Sequence, residues 1–254
     1  MSTLPGESPW LRNFRPAPDA PVRLVCLPHA GGSATFYVPV AQALSPGADV
    51  LAVQYPGRQD RRREPLIPDV GLLADRIAEA LAPYNDRPLA LFGHSMGALI
   101  GFEVARRLEA AGTVPAHLFV SGRMAPPVST ADRWHLAADK DLVNEVKSLG
   151  GTDTSFLDDP ELLGMVLPAI RSDYQAVETY AHEPGPALNC QVTAFTGDND
   201  PKADVDRVLL WGQHTTKSFT ARVFPGGHFY LIQHIDALLR TMSTQLSLSP
   251  ATAP

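Results

Sequence analysis

The stretch Leu89-Ala90-Leu91-Phe92-Gly93-His94-Ser95-Met96-Gly97-Ala98-Leu99-Ile100 decides the fold. Its opening apolar run, bounded by turn residues, reads as a strand buried on both faces, and Leu99, Ile100, Phe102, Val104 and Leu108 then recur at helical spacing. Only Gly93-His94-Ser95-Met96-Gly97 joins the two elements. A turn that tight has no room for side chains at its flanks, so glycines are required there and the serine Oγ is pushed into the open. A G-x-S-x-G string alone is weak evidence. With a strand directly before it and a helix directly after it, it reads as a nucleophile elbow.

Outward from the elbow the same grammar repeats. Val22 to Leu27, Val50 to Gln54, Leu118 to Val120, Val192 to Phe195 and Ala221 to Phe224 read as further strands buried on both faces. Between several of them lie helical patterns, such as Val70, Leu73, Ile77 and Leu81 behind Asp69 as N-cap. Strand then helix, repeated, implies an α/β class, a mostly parallel central sheet flanked by helices, with its site beyond the carboxyl ends of the strands. The regularity fails between Arg123 and Pro184, where two helix-like runs, Asp141 to Leu149 and Pro160 to Tyr180, stand without a strand. We read 124–184 as a helical lid inserted in a single domain spanning 1–254; the alternative is a thickened helical layer.

A serine nucleophile needs a base, and the base needs a carboxylate to orient it. His228 follows the last strand in Phe224-Pro225-Gly226-Gly227-His228, and Asp200 follows the preceding strand in Thr196-Gly197-Asp198-Asn199-Asp200-Pro201. Asp200 is favoured over Asp198 because Pro201 biases it toward extended backbone, whereas Asp198 beside Gly197 looks like a turn-former. Ser95, Asp200 and His228 occur in the chain order of the α/β-hydrolase fold. The oxyanion would be held by the Met96 N–H and by a second N–H from Pro28-His29-Ala30-Gly31-Gly32, with Ala30 first and Gly31 behind it. His94 is read as structural. No metal motif is present and the chemistry calls for no cofactor.

Bulk composition agrees. The chain has 254 residues, 44% hydrophobic and 19% charged, and a net charge of -6 that argues against nucleic-acid binding. No apolar run approaches the ~20 residues of a membrane helix, and no secretory leader is visible, so a cytosolic location is expected. Cys26 and Cys190 sit in apolar runs and read as structural thiols.

At this point the chain resembles the type II thioesterases, the discrete editing enzymes of modular polyketide synthases and nonribosomal peptide synthetases. The resemblance spans nearly the whole chain and rests on Leu27-Pro28-His29-Ala30-Gly31-Gly32, Tyr55-Pro56-Gly57-Arg58-Gln59-Asp60-Arg61, the elbow, Leu149-Gly150-Gly151-Thr152, and Pro168-Ala169-Ile170-Arg171-Ser172-Asp173-Tyr174 through Glu178-Thr179-Tyr180. It implies release of stalled acyl groups from the phosphopantetheine arm of acyl or peptidyl carrier proteins. Leu163, Leu167, Ile170, Tyr174 and Val177, at helical spacing, are expected to form the underside of the lid, and Arg58, Arg61, Arg62 and Arg63 to form an exposed carrier-docking cluster.

Three rivals share part of the pattern. A general esterase would use the same triad on oxygen esters. An integrated chain-terminating domain would take its acid from the loop after an earlier strand, but Ser121-Gly122-Arg123-Met124 offers none, and no carrier-like segment is seen ahead of the domain. A non-catalytic binding module would be expected to lack a triad member.

Overall fold

The computed structural model describes residues 8–127, 132–151 and 155–248. Thr152, parts of the 124–184 stretch and the tail beyond Leu248 lie outside them. Among the described residues seven strands form one sheet: β1 (Leu11–Arg12), β2 (Arg23–Leu27), β3 (Asp49–Val53), β4 (Leu89–His94), β5 (His117–Ser121), β6 (Gln191–Gly197) and β7 (Phe219–Phe224), in the order β1-β3-β2-β4-β5-β6-β7. All neighbours are parallel except β1 on β3. The sequence pattern missed β1, whose two residues are too few to show any period.

Strand side chains alternate between faces, so a run that is apolar throughout must be covered twice. Val25, Leu27, Leu51, Val53 and Leu91 pack with α2 (Val70–Leu81) and α3 (Met96–Ala110) on one face. Leu24, Cys26, Val50, Ala52, Phe92 and Phe119 pack with α1 (Val38–Leu44) and α8 (Ile235–Gln245) on the other. β7 departs from the expectation of burial on both faces: as an edge strand it buries only Phe224 fully. Asp69 caps α2 as expected, its side chain accepting from Leu72 N at 2.7 Å. Cys26 and Cys190 are buried free thiols, and burial pushes both pKa values up, Cys190 to about 12.

Between β5 and β6 the chain forms α4 (Asp139–Ser148) and α5 (Pro160–Glu178). Proline at the first turn of α5 costs no hydrogen bond, and Asp159 caps the helix by accepting from Glu161 N and Leu162 N. The two helices share a small core of their own, Leu142, Val143, Leu157, Leu167 and Ile170. Two short helices, α6 (Val205–Leu209) and α7 (Tyr230–Gln233), follow β6 and β7. Among the described residues no helix is long and apolar enough to cross a membrane.

Candidate active site

Strand order and register decide where the chemistry gathers. β2 lies between β3 and β4, so the winding of the chain reverses between β2 and β4, the point at which open α/β sheets leave a crevice beyond the strand ends. Leu27 is level with Gly93, His94 with Ser121, Ser121 with Phe195, and Gly197 with Phe224. The loops after β2, β4, β5, β6 and β7 therefore leave the sheet at one end.

The elbow has the geometry its glycines require. Ser95 sits at φ 55°, ψ −114° between β4 and α3, a region that costs an L-residue ~1–3 kcal/mol and persists only where the surroundings enforce it. A Cβ on Gly93 would stand 2.0 Å from Gly97 O, and one on Gly97 would stand 2.0 Å from Leu27 O. Backbone on both sides cannot move aside, so neither position accepts a side chain. Ser95 N–H donates to Ser121 O at 2.8 Å, which pins the turn to the neighbouring strand.

The loops that carry Asp200 and His228 meet in the same way. A Cβ on Gly197 would lie 2.3 Å from Gly226 O, so the loops after β6 and β7 press together there. Asn199 N–H donates to Gly226 O at 3.0 Å and Gly226 N–H to Asp198 Oδ1 at 2.9 Å. Asp198 thus braces the histidine loop, and Asp200, buried, is the carboxylate that reaches His228: both oxygens lie 2.9 Å from Nδ1. Since a carboxylate only accepts, Nδ1 carries the proton and donates. Lys202 N–H holds Asp200 Oδ1 from the other side at 2.8 Å. Among the described residues the two bonds to Asp200 are the hydrogen bonds of His228, which leaves Nε2 for the cavity that Ser95 also lines. Among the described residues no hydrogen bond joins Ser95 Oγ to His228 Nε2.

His94 is built into the fold. Its Nδ1 meets Ser121 Oγ at 3.0 Å, and Ser121 Oγ meets Tyr230 OH at 2.6 Å. Burial, then the nearby His228 and His29, hold its pKa well below the ordinary imidazole value. His29, packed edge-on to Phe36 and Phe229, is pushed down to about 3 by burial first, with His228 and Arg58 adding to it. Both rings are neutral at neutral pH.

The loop after β2 accounts for most of its own backbone groups. Gly32 N–H donates to His29 O at 2.9 Å, Gly31 N–H to Asp173 Oδ2 at 2.7 Å, and Ala34 N–H to Gln54 Oε1 at 2.8 Å. The N–H groups of Ala30 and Met96 have no acceptor among the described residues. Gly31, the reserve candidate of the sequence reading, has spent its donor on Asp173.

Ser95, His228, Ala30 and Gly31 line a cavity of about 400 Å³. From α5, Ile170, Tyr174 and Val177 reach it. Leu163 and Leu167 do not: they pack against the Leu142, Val143 and Leu157 cluster, because α5 must bury one stripe against α4 before it can cover anything else. The arginine cluster also needs correcting. Arg58 and Arg61 are buried, Arg58 on Asp173 and on Gly32 O, Arg61 on Glu64 and on Gln54 O at 2.7 Å, with its guanidinium 4.2 Å over the Trp10 ring. Arg62 and Arg63 are exposed. Sequence reading missed the polar part of the wall, Arg123, Asp132, Trp134, Glu178 and Lys202. Lys202 pairs with Asp132 at 2.9 Å and with Glu145, and both Glu178 oxygens are taken by Trp134 and His135. Their signal is tertiary: no local period distinguishes them from surface charge.

The chain is similar to known proteins over most of its length. The family model described as thioesterase domain matches residues 22–246. The chain is 52% identical to a probable cadicidin biosynthesis thioesterase of Streptomyces griseus over 90% of its own length, spanning 63% of that protein. It is 50% identical to thioesterase PikA5 of Streptomyces venezuelae, covering 93% of this chain and 85% of that one. The solved structure of BorB, a type II thioesterase from the borrelidin biosynthetic cluster, superposes with a TM-score of 0.87 at 48% identity, covering 95% of this chain and 98% of BorB. With a family model over most of its length and relatives of this identity, the chain belongs to the thioesterase domain family.

Proposed function

We propose that the protein hydrolyses acyl thioesters carried on the phosphopantetheine arm of acyl or peptidyl carrier proteins, as an editing enzyme of polyketide or nonribosomal peptide assembly, through an acyl-Ser95 intermediate. The observation that carries the reading is the meeting, on a single cavity at one end of the sheet, of a strained serine, a carboxylate-oriented imidazole and the unspent Ala30 N–H, with the Met96 N–H, also without an acceptor among the described residues, directly after the serine. His228 takes the Ser95 proton as Oγ attacks the thioester carbonyl, and the Ala30 and Met96 N–H groups hold the oxyanion. The oxyanion collapses, the C–S bond breaks, and the sulfur leaves as the free thiol with the proton from His228. Free thiols have pKa values near 8.5, so this leaving group needs less acid assistance than an amine would. Water, deprotonated by the same histidine, cleaves the acyl-enzyme, releases the free acid and restores Ser95. The names of the relatives, a biosynthesis thioesterase and a type II thioesterase of a biosynthetic cluster, support the same substrate class.

The test compares a short acyl-phosphopantetheinyl carrier protein with the matching oxygen ester. Cleavage of the thioester with little turnover of the oxygen ester is the expected result; preference for the oxygen ester would make the enzyme a general esterase.

Residues 124–184 serve in this reading as a lid, with Ile170, Tyr174 and Val177 against the acyl chain. Enlarging Val177 to Phe should shorten the accepted chain. Relative to native, kcat/KM for a long acyl thioester is expected to fall on the order of tenfold or more while that for acetyl stays within twofold. An unchanged chain-length profile would remove α5 from the acyl pocket. Of the basic cluster, Arg62 and Arg63 remain to meet an acidic carrier.

A further inference from the structure

The Asp173 carboxylate of α5 and the Arg58 guanidinium form a buried ion pair far from any surface role. Asp173 is 2% exposed and Arg58 8%. Burying two charges is costly, and replacing such a pair by apolar side chains is often neutral or stabilising, so its presence asks for a reason other than stability. The pair's hydrogen bonds supply one. Asp173 Oδ2 accepts both from Arg58 Nη2 and, at 2.7 Å, from Gly31 N–H. Arg58 Nε donates to Gly32 O at 3.2 Å and Nη1 to Pro56 O at 2.7 Å, and its guanidinium carbon stands 5.2 Å over the Tyr55 ring. Tyr55 OH in turn donates to Pro28 O at 3.1 Å. Burial lowers Arg58 to about 10, which leaves it cationic at neutral pH.

These contacts converge on the residues either side of the Ala30 N–H. Gly31 holds a positive φ of 76°, and a Cβ there would meet Ile170 Cγ1 of α5 at 3.0 Å. The loop is therefore shaped against α5 at its only left-handed residue, and the N–H of that same residue is fixed by a carboxylate of the same helix. We infer that Asp173, with Arg58, is a positioning residue for the oxyanion hole: it clamps the loop after β2 to α5, so that the Ala30 N–H points at the reacting carbonyl only while α5 is seated over the cavity. Lid and oxyanion hole are then one mechanical unit. An acyl chain that holds α5 in place also completes the site that attacks it.

This inference rests on the Ser95 reading above, and its test separates the two. Two variants are compared with the native enzyme, Asp173→Ala, which leaves the Gly31 N–H without its acceptor, and the double replacement Arg58→Met with Asp173→Leu, which removes both charges and guards against an unfolded single variant. Two ligands are used: an alkyl trifluoromethyl ketone, which serine attacks to give an oxyanion, and a non-hydrolysable acyl-pantetheine thioether that fills the cavity without reacting. The expected result, in variants that keep the native melting cooperativity, is a ~100-fold loss of kcat with a parallel loss of trifluoromethyl ketone affinity, the thioether binding within threefold of native. A folded variant that binds the ketone as tightly as native does, or that loses thioether affinity to the same degree, overturns the clamp. Either outcome leaves the Ser95→Ala result unaffected, whereas activity surviving in Ser95→Ala would bring down the reading beneath it.

Discussion

Replacing Ser95 by alanine is expected to abolish thioester turnover, lowering kcat by roughly 10⁴-fold or more, since loss of the nucleophile leaves only what the oxyanion hole and binding supply. Alanine at φ 55° meets the same backbone restriction as serine, so the melting temperature should move little. Steady-state rates on an acyl carrier protein measure the loss, and intact-protein mass spectrometry of native enzyme quenched during turnover should show an acyl adduct that the variant lacks. Substantial activity in a folded Ser95→Ala chain would mean that another group attacks the carbonyl.

The second large effect is expected at Asp200. Its two oxygens accept from His228 Nδ1, and only an acceptor there keeps the ring proton away from Nε2. Asparagine can turn its amide N–H groups toward the ring and stabilise the opposite tautomer, which would present a donor, not a base, to Ser95. Asp200→Asn should therefore cost on the order of 10⁴-fold in kcat with KM nearly unchanged. Asp198→Asn is the control. Its carboxylate braces Gly226 N–H at 2.9 Å, a bond the Asn carbonyl can keep, so activity should stay within about tenfold of native. If the order of the two effects were reversed, the acid would be Asp198.

The parts of the site that could be read from the sequence are those fixed by short-range sterics. Gly93 and Gly97 are dictated by backbone atoms 2.0 Å from where a side chain would begin, and the chain order of elbow, acid loop and histidine loop follows from strand order. The carboxylate that meets His228 was legible for a similar reason: Pro201 restricts the residue before it, and the turn at Asp198 needs a short acceptor for Gly226. Longer range was opaque. Arg58 reads as one of a run of surface arginines until the chain brings Asp173 against it from 115 residues away. Leu163 and Leu167 share the period of Ile170 and Val177, and a period says which side of a helix is apolar but not which neighbour that side will meet. β1 and the exposed face of β7 fail the pattern because edge strands are short or half-solvated.

The placement of β7 at the rim of the sheet has a consequence for how the enzyme comes into being. A nascent chain that has left the ribosome through the loop after β6 already holds the elbow, the loop after β2 and the Asp200 loop, all joined to strands that can pair with one another. His228 arrives only with β7, which pairs with β6 alone and at the far edge. With His228 as the base, a partly synthesised molecule carries a serine but nothing to activate it. A chain that stops short of β7 is therefore expected to be inert, and the onset of turnover to follow the docking of that strand, which would make activity a clock for the completion of folding.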